Sequence, residues 1–568
     1  MDVMDPGTII HLVELCYSLG VKVIEICSTW KHAEKEVEKR VLIVQSCWNR
    51  TKRQVEFVVR IASTMDSEQH RLMDELLNQL MLSLSLAINS LEAVARKSVS
   101  ARSGLFGFGS KAKAAWVWRK DALDGVISEL EDWQRRFDPS WFLLMKIASP
   151  VFDSELAKAK AAEAEALQER VQGPATVARN PLALAAGLRG VLSPTPERAP
   201  SIFLLALQME WVNIPFSEAK AGRRRQNDKW YIVDTVRVGE TARVRNIARD
   251  VDTLATKLSQ ADPLGFGLLN CKGVIAVPRE QQHSAPGPRA ESVPSLASPP
   301  PSPFPRLPSP SLNKNYSHFQ IVFRIPRGME VLQSLRQLLL SSDAHLSLSQ
   351  KLHIARELSK AVNYVHTFAF VHKNVRPESV LYFEGPQAKH SHAFLVGFDA
   401  FRAADAGTLM KGDMSWSRNI YRHPRRQGLD PSEKYSMHHD IYSLGVCLLE
   451  IGLWESFVEY TAQPEDKSGT PQPKFGKTYH DFIAWSEHQV EPTSFEASAF
   501  QLKDFLVEQA ATRLAPRMGD KYAQVVMSCL TCLDEDNEDF SAVDGASEDL
   551  VAVQFIETIM KKLDKISL

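Results

Sequence analysis

The sequence predicts a multidomain protein in which an all-α helical bundle precedes an α+β domain built of two lobes. The first 150 residues contain four long segments whose apolar residues recur at helical spacing. From residue 201 onward, short runs rich in β-branched and aromatic residues dominate, and after residue 328 amphipathic helical patterns return. This order predicts a small β-rich lobe with one helix, followed by a larger helical lobe.

Segments that cannot form a core separate the predicted domains. The bundle and a connecting helix are placed at 1–172, a Pro/Gly-containing linker at 173–200 and the α+β domain at 201–568. A Pro/Ser-rich insertion at 281–315 is expected to be disordered, because its composition offers too little apolar surface to bury.

Composition restricts the class of protein. A net charge of −1 gives no basis for nucleic-acid binding. Seven scattered cysteines do not form a disulfide framework and favour a reducing cytosol. The N-terminus begins acidic, lacks a small-residue cleavage site and has charges within its apolar run. Neither a signal peptide nor a spanning helix is therefore predicted. A cytoplasmic protein is expected, with plasma-membrane association on activation.

The first helix has an apolar face with two alternative uses. It begins at Pro6, where Asp5 can cap it. Its face is expected to pack in the bundle, or to insert shallowly into lipid if the helix is released. The apolar residues that define this possible membrane helix are Ile9, Ile10, Val13 and Leu19. Further helices are predicted over 33–62, 67–98 and 111–137.

Four motifs in the second half resemble those of protein kinases, in the correct order. FVHKNVRPESV (370–380) has the outline of the catalytic loop H-R-D-x-K-x-x-N, and GFD (397–399) stands where D-F-G belongs. YRHPRR (421–426) stands where the activation segment closes. The D-x-x-S-x-G helix is matched by Asp440, Ser443 and Gly445. The resemblance implies a bilobal protein-kinase-like fold over 201–568, with these three residues as anchors of that fold.

The groups needed for phosphoryl transfer are replaced at the matched positions. Transfer requires a carboxylate to accept the substrate proton and oxygen ligands to hold magnesium. The catalytic-loop positions hold His372, Asn374, Arg376 and Ser379, and the metal-loop positions hold Gly397, Phe398 and Asp399. A neutral amide at the base position has no useful basicity. No G-x-G-x-x-G occurs in 201–240, and the strand lysine has no clear counterpart near Val236. The resemblance therefore implies a pseudokinase with no intact catalytic residue, no metal and no required cofactor; weak ATP binding without transfer stays open.

LEDWQRRFDPSW (130–141) closely resembles the signature of the HeLo domain of fungal heterokaryon-incompatibility proteins, in the prion-inhibition and propagation group. The matching residues are Trp133, Gln134, Arg136, Phe137, Asp138, Pro139, Ser140 and Trp141. The resemblance covers roughly 5–170 and implies a fungal source and a role in programmed cell death, executed by an N-terminal helix that perturbs the plasma membrane.

Together these resemblances predict a non-enzymatic signalling protein. In this hypothesis the bundle is a membrane-directed effector that the pseudokinase restrains or triggers. The expected partners are other proteins, as upstream activator or by self-association, and a lipid surface after activation. Two alternatives remain: an active atypical Ser/Thr protein kinase with a helical regulatory domain, which would use ATP, and a protein-interaction scaffold.

Overall fold

The structure of this chain, a computed structural model, consists of two compact units, Met1–Ser193 and Pro194–Leu568, and each is described by itself. The described residues are 6–30, 35–62, 65, 67–102, 117–130, 133–134, 201–205, 209–224, 229–238, 244–261, 263–279, 316–326, 329, 331–341, 346–384, 391–403, 412–461, 472–540 and 548–566. The predicted linker at 173–200 and the insertion at 281–315 lie outside them.

The described part of the first unit is α-helical. Helix α1 spans Pro6–Ser28, α2 spans Lys35–Ile61, α3 spans Ser67–Arg102, and α4 spans 117–130. Helix α1 packs against both α2 and α3. The closest approach is at Gly20, where an added Cβ would lie 2.0 Å from the ring of Trp48 on α2. A side chain at this position would displace the tryptophan, so the packing of α1 on α2 depends on glycine.

The core of the first unit follows the helical period. Buried apolar residues recur every three or four positions along each helix and form one stripe facing the other helices. These residues are Ile9, Val13, Cys16, Val23 and Cys27 on α1; Val37, Val41, Val44, Trp48 and Val55 on α2; and Met73, Leu76, Leu80, Leu84 and Leu91 on α3.

The second unit opens with a six-stranded sheet. Its strands are β1 (Phe203–Leu204), β2 (Met209–Asn213), β3 (Lys220–Arg224), β4 (Trp230–Arg237), β5 (Cys271–Pro278) and β6 (Tyr316–Arg324). The strand order is β1-β5-β6-β4-β3-β2, antiparallel except for the pairing of β1 with β5. Helix α5 (Val244–Ser259) connects β4 to β5 and packs on β5 and β6.

The rest of the second unit is mostly helical, with three small sheets. Its strands are β7 (Val331–Ser334), β8 (Phe370–Val371), β9 (Val380–Glu384), β10 (His392–Leu395), β11 (Arg402–Ala403), β12 (Val458–Tyr460) and β13 (Pro473–Phe475). Its helices are α6 (Pro263–Phe266), α7 (Leu335–Leu340), α8 (Leu348–Thr367), α9 (Trp416–Asn419), α10 (Met437–Leu453), α11 (Lys477–Ser486), α12 (Phe495–Gln509), α13 (Ala515–Met518), α14 (Asp520–Leu530), α15 (Glu548–Phe555) and α16 (Lys561–Asp564).

Helix α10 is the centre of this helical part. Nearly all of its residues are buried, including the carboxylates of Asp440 and Glu450. It packs against α8 and α14, and a Cβ added at Gly445 would lie 2.7 Å from the Cβ of Cys529 on α14. Cys529 and Cys532 are both buried, and burial raises the pKa of each thiol. The CxxC pair therefore packs as apolar side chains.

The observed elements agree with a multidomain protein that has a helical first region and a mixed sheet-plus-helix second region. Among the described residues, no helix is both long and apolar enough to span a bilayer.

Candidate functional site

The loop that precedes β9, residues 372–379, is anchored by a buried carboxylate at the start of α10. Asp440 accepts hydrogen bonds from the backbone N–H groups of His372 at 2.7 Å and Lys373 at 2.9 Å, and from the hydroxyl of Tyr435 at 2.8 Å. Burial raises the pKa of Asp440, but the hydrogen bond from His366 and the neighbouring histidine charges outweigh burial and hold it below its ordinary value. Asp440 thus stays ionised and fixes the loop, including the left-handed backbone of Lys373 (φ 65°).

Asn374 is a crosslink between this loop and the turn that follows β10. Its amide nitrogen donates to the Oδ1 of Asp399 at 2.7 Å and to the carbonyl of Gly397 at 3.1 Å. Its amide oxygen accepts from the Nε of Arg376 at 2.7 Å. Both ends of the amide are therefore engaged with the protein, and a neutral amide cannot remove a proton from a hydroxyl.

The hydroxyl of Ser379 is used within its own loop. It lies 2.6 Å from the carbonyl oxygen of Asn374 and 2.8 Å from that of Arg376, and it accepts from the backbone N–H of Arg376 at 3.1 Å. The side chain is buried. Ser379 therefore closes the turn and is not directed into an open site.

Gly397 and Phe398 present their backbone N–H groups to a carboxylate on the sheet. Asp234, in the middle of β4, accepts from Gly397 at 2.7 Å and from Phe398 at 3.3 Å. Burial raises the pKa of Asp234 to about 7. The counterpart of the kinase strand lysine was expected near Val236, which is buried and apolar; the side chain of β4 that meets this turn is that of Asp234. The available signal was a single carboxylate within the apolar run YIVDTV, because buried acids are rare unless they have partners.

The turn between β2 and β3 reaches the same loop through Glu218. Its Oε1 lies 3.0 Å from an Nη of Arg376 and 2.8 Å from an Nη of Arg418. Burial and the nearby charge of Glu218 raise the pKa of Asp399, and the charges of Arg376 and Arg418 act in the opposite direction. We call this set the loop cluster; it comprises Glu218, Asp234, residues 372–379, residues 397–399 and Arg418.

Charge in the loop cluster is balanced internally. The carboxylates of Glu218, Asp234 and Asp399 surround the position where the two loops meet, and Arg376 and Arg418 are held against the first of them. The carboxylates of Glu218 and Asp399 lie beside these two guanidinium groups and offset their attraction for an anion such as phosphate.

A second buried ionic group shares Glu378 with the loop cluster. Arg336 on α7 is fully buried and donates to Glu450 at 2.8 Å and to Glu378 at 3.0 Å, and it contacts the hydroxyl of Tyr421. The Tyr421 hydroxyl donates to Glu450 at 2.8 Å. This group ties α7, the 372–379 loop, the 421–426 segment and α10 together, and sequence reasoning did not find it because its members are 29 to 114 residues apart.

Ser443 and Gly445 serve the packing of α10. The Ser443 hydroxyl donates to the carbonyl of His439 one turn earlier at 2.8 Å, and Gly445 allows α14 to approach. The second unit also contains a cavity of about 550 Å³, with a lining that includes Phe216, Glu459 and Tyr460. Among the described residues, its lining includes none of the predicted site positions.

Two of the predicted signature residues of the first unit are described, and both hold helices together. The indole N–H of Trp133 donates to the carbonyl of Leu76 on α3 at 2.9 Å, and the amide of Gln134 donates to the Cys47 carbonyl and the Thr51 hydroxyl on α2, each at 3.0 Å. The other signature positions, which lie outside the described residues, are Arg136, Phe137, Asp138, Pro139, Ser140 and Trp141. On α1, Ile9 and Val13 are buried, Leu19 is half-buried and Ile10 is 37% exposed.

Comparison with known proteins gives one partial likeness. A serine/threonine-protein kinase-like protein of Arabidopsis thaliana is 28% identical to this chain over 137 residues. The match covers 23% of this chain and 36% of the relative, so the chain spans about a third of the length of the curated relative it matches. No protein-family model matches the sequence. The comparison therefore indicates a distant similarity to a kinase-like protein and nothing finer.

Proposed function

We propose that this chain is a non-catalytic signalling protein in which a kinase-like module is joined to a HeLo-like helical effector. The observation that carries the first part is the loop cluster. Its base position is a neutral amide bonded at both ends, and the carboxylate of Asp234 faces the turn at Gly397 and Phe398, where it disfavours a phosphate. These are the features of a scaffold used for interaction, without phosphoryl transfer.

Several further observations support a kinase-like scaffold. A mixed sheet with one packed helix leads through a short connection into a mostly helical part, as in the bilobal fold that the motifs resemble. Asp440 holds the backbone of the 372–379 loop, which gives the D-x-x-S-x-G motif a structural purpose independent of catalysis. The partial likeness to the Arabidopsis kinase-like protein agrees with this proposal.

The effector role rests on two features of the first unit. Helix α1 has an apolar face, and Trp133 and Gln134 of the HeLo-like signature bond to α3 and α2. In the proposal, α1 is stored with Ile9 and Val13 buried, and release of the helix exposes this face to an anionic lipid surface. The kinase-like unit restrains or triggers that release in response to another protein. The proposed site of action is the cytoplasmic face of the plasma membrane.

Binding and transfer assays test the kinase-like half. The proposal expects no saturable thermal stabilisation of the full chain by ATP and magnesium, and no incorporation of labelled phosphate into the chain or a general acceptor protein. Incorporation that disappears in Asp399→Ala would instead favour an active atypical kinase, because Asp399 is the carboxylate of the G-F-D triplet that stands where D-F-G belongs. Asp430→Ala, at an exposed loop position, is the matched control.

A liposome assay tests the helical half. The proposal expects residues 1–193 to cause leakage of anionic liposomes, the full chain to cause less, and Ile10→Glu to reduce leakage. Ile10 is exposed, so its substitution separates lipid contact from folding; Leu82→Glu, at a 59% exposed position on α3, is the control. Absence of leakage from both proteins contradicts the effector role, and a protein partner captured without leakage would favour the scaffold alternative.

A further inference from the structure

Three potential metal ligands meet on the second unit, away from the loop cluster. His353 and Glu357 lie one turn apart on α8, and His392 is the first residue of β10. The Nε2 of His353 and the Nδ1 of His392 lie 3.5 Å and 2.7 Å from the same oxygen, Oε1 of Glu357. All three ligand atoms are within 4.8 Å of one another.

The spacing suits a small divalent ion. With metal–nitrogen and metal–oxygen bonds of about 2.0–2.1 Å, neighbouring ligands of a tetrahedral site are about 3.3 Å apart. The His353 distance is already close to this value, and the His392 ring would have to withdraw by only about half an ångström. The carbonyl oxygen of Ser391, 3.0 Å from the Nε2 of His353, can supply a fourth ligand in place of water.

The surrounding protein holds the Glu357 carboxylate in a fixed orientation. Glu357 is buried, and its second oxygen accepts from the backbone N–H of Ala393 at 2.5 Å, which fixes the orientation of the group. The His353 and His392 side chains are 36% and 20% exposed, so an ion can reach the site from solvent.

Both rings can present a lone pair to a metal. In the metal-free protein, Nε2 of His353 donates to a carbonyl and Nδ1 of His392 donates to Glu357. Each imidazole can move its proton to its other nitrogen and remain neutral when the metal arrives.

A second cluster of two histidines and one glutamate cannot present histidine lone pairs to a metal in this way. His423, Glu433 and His439 also cluster, but backbone N–H groups donate to the Nδ1 atoms of both histidines, at 3.4 Å for His423 and 2.9 Å for His439. Because a backbone N–H can only donate, each Nδ1 must be the unprotonated acceptor, and the proton of the neutral ring lies on Nε2. An Nε2 that carries this proton has no lone pair for a metal. That group is therefore unsuited to a metal.

We propose that His353, Glu357 and His392 form a binding site for one divalent transition-metal ion of the zinc class, which joins α8 to the strand leading into Gly397. Nitrogen and carboxylate ligands in this number are typical of zinc sites with one open or weakly held position. The inference is independent of the proposed function, because the site needs neither a nucleotide nor the first unit.

Zinc titration of the metal-free full chain tests the proposal, with calorimetry and thermal unfolding as readouts. We expect a zinc-binding event that raises the unfolding temperature and slows hydrogen exchange over 392–403. His353→Ala is expected to weaken zinc binding by more than tenfold. His488→Ala, an exposed histidine bonded to its own helix, is the matched control and should bind zinc as the unaltered chain does.

Cobalt substitution supplies a second, independent readout. Co²⁺ at this site should give the visible spectrum of a tetrahedral nitrogen–oxygen site, and the spectrum should be lost in His353→Ala and Glu357→Gln. The proposal is overturned if the chain does not bind zinc, if His353→Ala binds it unchanged, or if the cobalt spectrum shows thiolate ligation. Because His353 is partly exposed, its substitution should not prevent folding, which a circular dichroism spectrum checks.

Discussion

Replacing Asp234 by asparagine should stabilise the second unit at neutral pH and have a much smaller effect in acid. In the unaltered chain, the buried Asp234 carboxyl has a pKa of about 7, against an ordinary value of 3.8, because burial penalises its charged form. A group whose pKa is raised on folding binds more protons in the folded state, so stability falls as pH rises from about 4 toward 7. Asparagine has nearly the same shape and can still accept from Gly397, but it does not titrate.

The size of the effect follows from these two pKa values. At 1.36 kcal/mol per pKa unit, the difference between the folded and unfolded pKa values of Asp234 lowers stability by about 2 kcal/mol at pH 5 and about 4 kcal/mol at pH 8. The advantage of Asp234→Asn over the unaltered chain should therefore grow by about 2–3 kcal/mol between pH 5 and pH 8. Titration of all other groups is shared by both proteins and cancels in the comparison.

Hydrogen exchange over a urea series measures this difference in the second unit alone. Peptides covering 229–238 and 392–403 report the urea midpoint at each pH, and Asp430→Asn, at an exposed loop position, is the control. Parallel stability curves for Asp234→Asn and the unaltered chain from pH 5 to pH 8 would refute the reasoning. A larger advantage of asparagine at pH 5 than at pH 8 would refute it as well.

Three further substitutions test the packing. Arg336→Leu leaves two buried carboxylates uncompensated and should cost about 3–5 kcal/mol in urea unfolding, whereas Arg418→Ala, which breaks an exposed pair, should cost at most about 1 kcal/mol; equal losses would contradict the buried group. Gly445→Ala forces a methyl against Cys529 and should cost about 1–3 kcal/mol by the same measurement; no loss would mean that α14 shifts freely. Trp133→Phe removes one indole hydrogen bond and should lower the stability of the first unit by about 1 kcal/mol, read by hydrogen exchange over α3; an unchanged rate would show that the bond contributes nothing.

Local periodicity predicted the helices of the first unit and the strand-rich character of 201–280, but not strand β3. The stripe that begins with Ile9 and Val13 marks the buried face of α1, whereas Ile10, which was grouped with them, is exposed. The strand YIVDTV was likewise evident from its β-branched residues. These features depend on neighbours within one or two turns, which the sequence displays directly.

The loop cluster could be predicted only in part, because its contacts join distant segments. The motif identified residues 372–379 and 397–399 by their order in the chain. It could not reveal that Glu218 reaches Arg376 across 158 residues, or that Asp234 faces Gly397 across 163. Strand register decides which side chain of β4 faces the turn, and register depends on pairing with β6, not on the strand's own residues.

Gly397 hinders the introduction of a metal-binding carboxylate at position 397. Its backbone is left-handed, with φ 84°, and a Cβ there would lie 2.8 Å from the Cβ of Ser379. A carboxylate placed at 397 by one substitution would thus meet both backbone strain and a steric clash before it could hold an ion. The neighbouring loop would have to change first, by a step that brings no benefit of its own. Evolution from this chain toward a metal-holding site would therefore need at least two changes, because a carboxylate at 397 alone is destabilising.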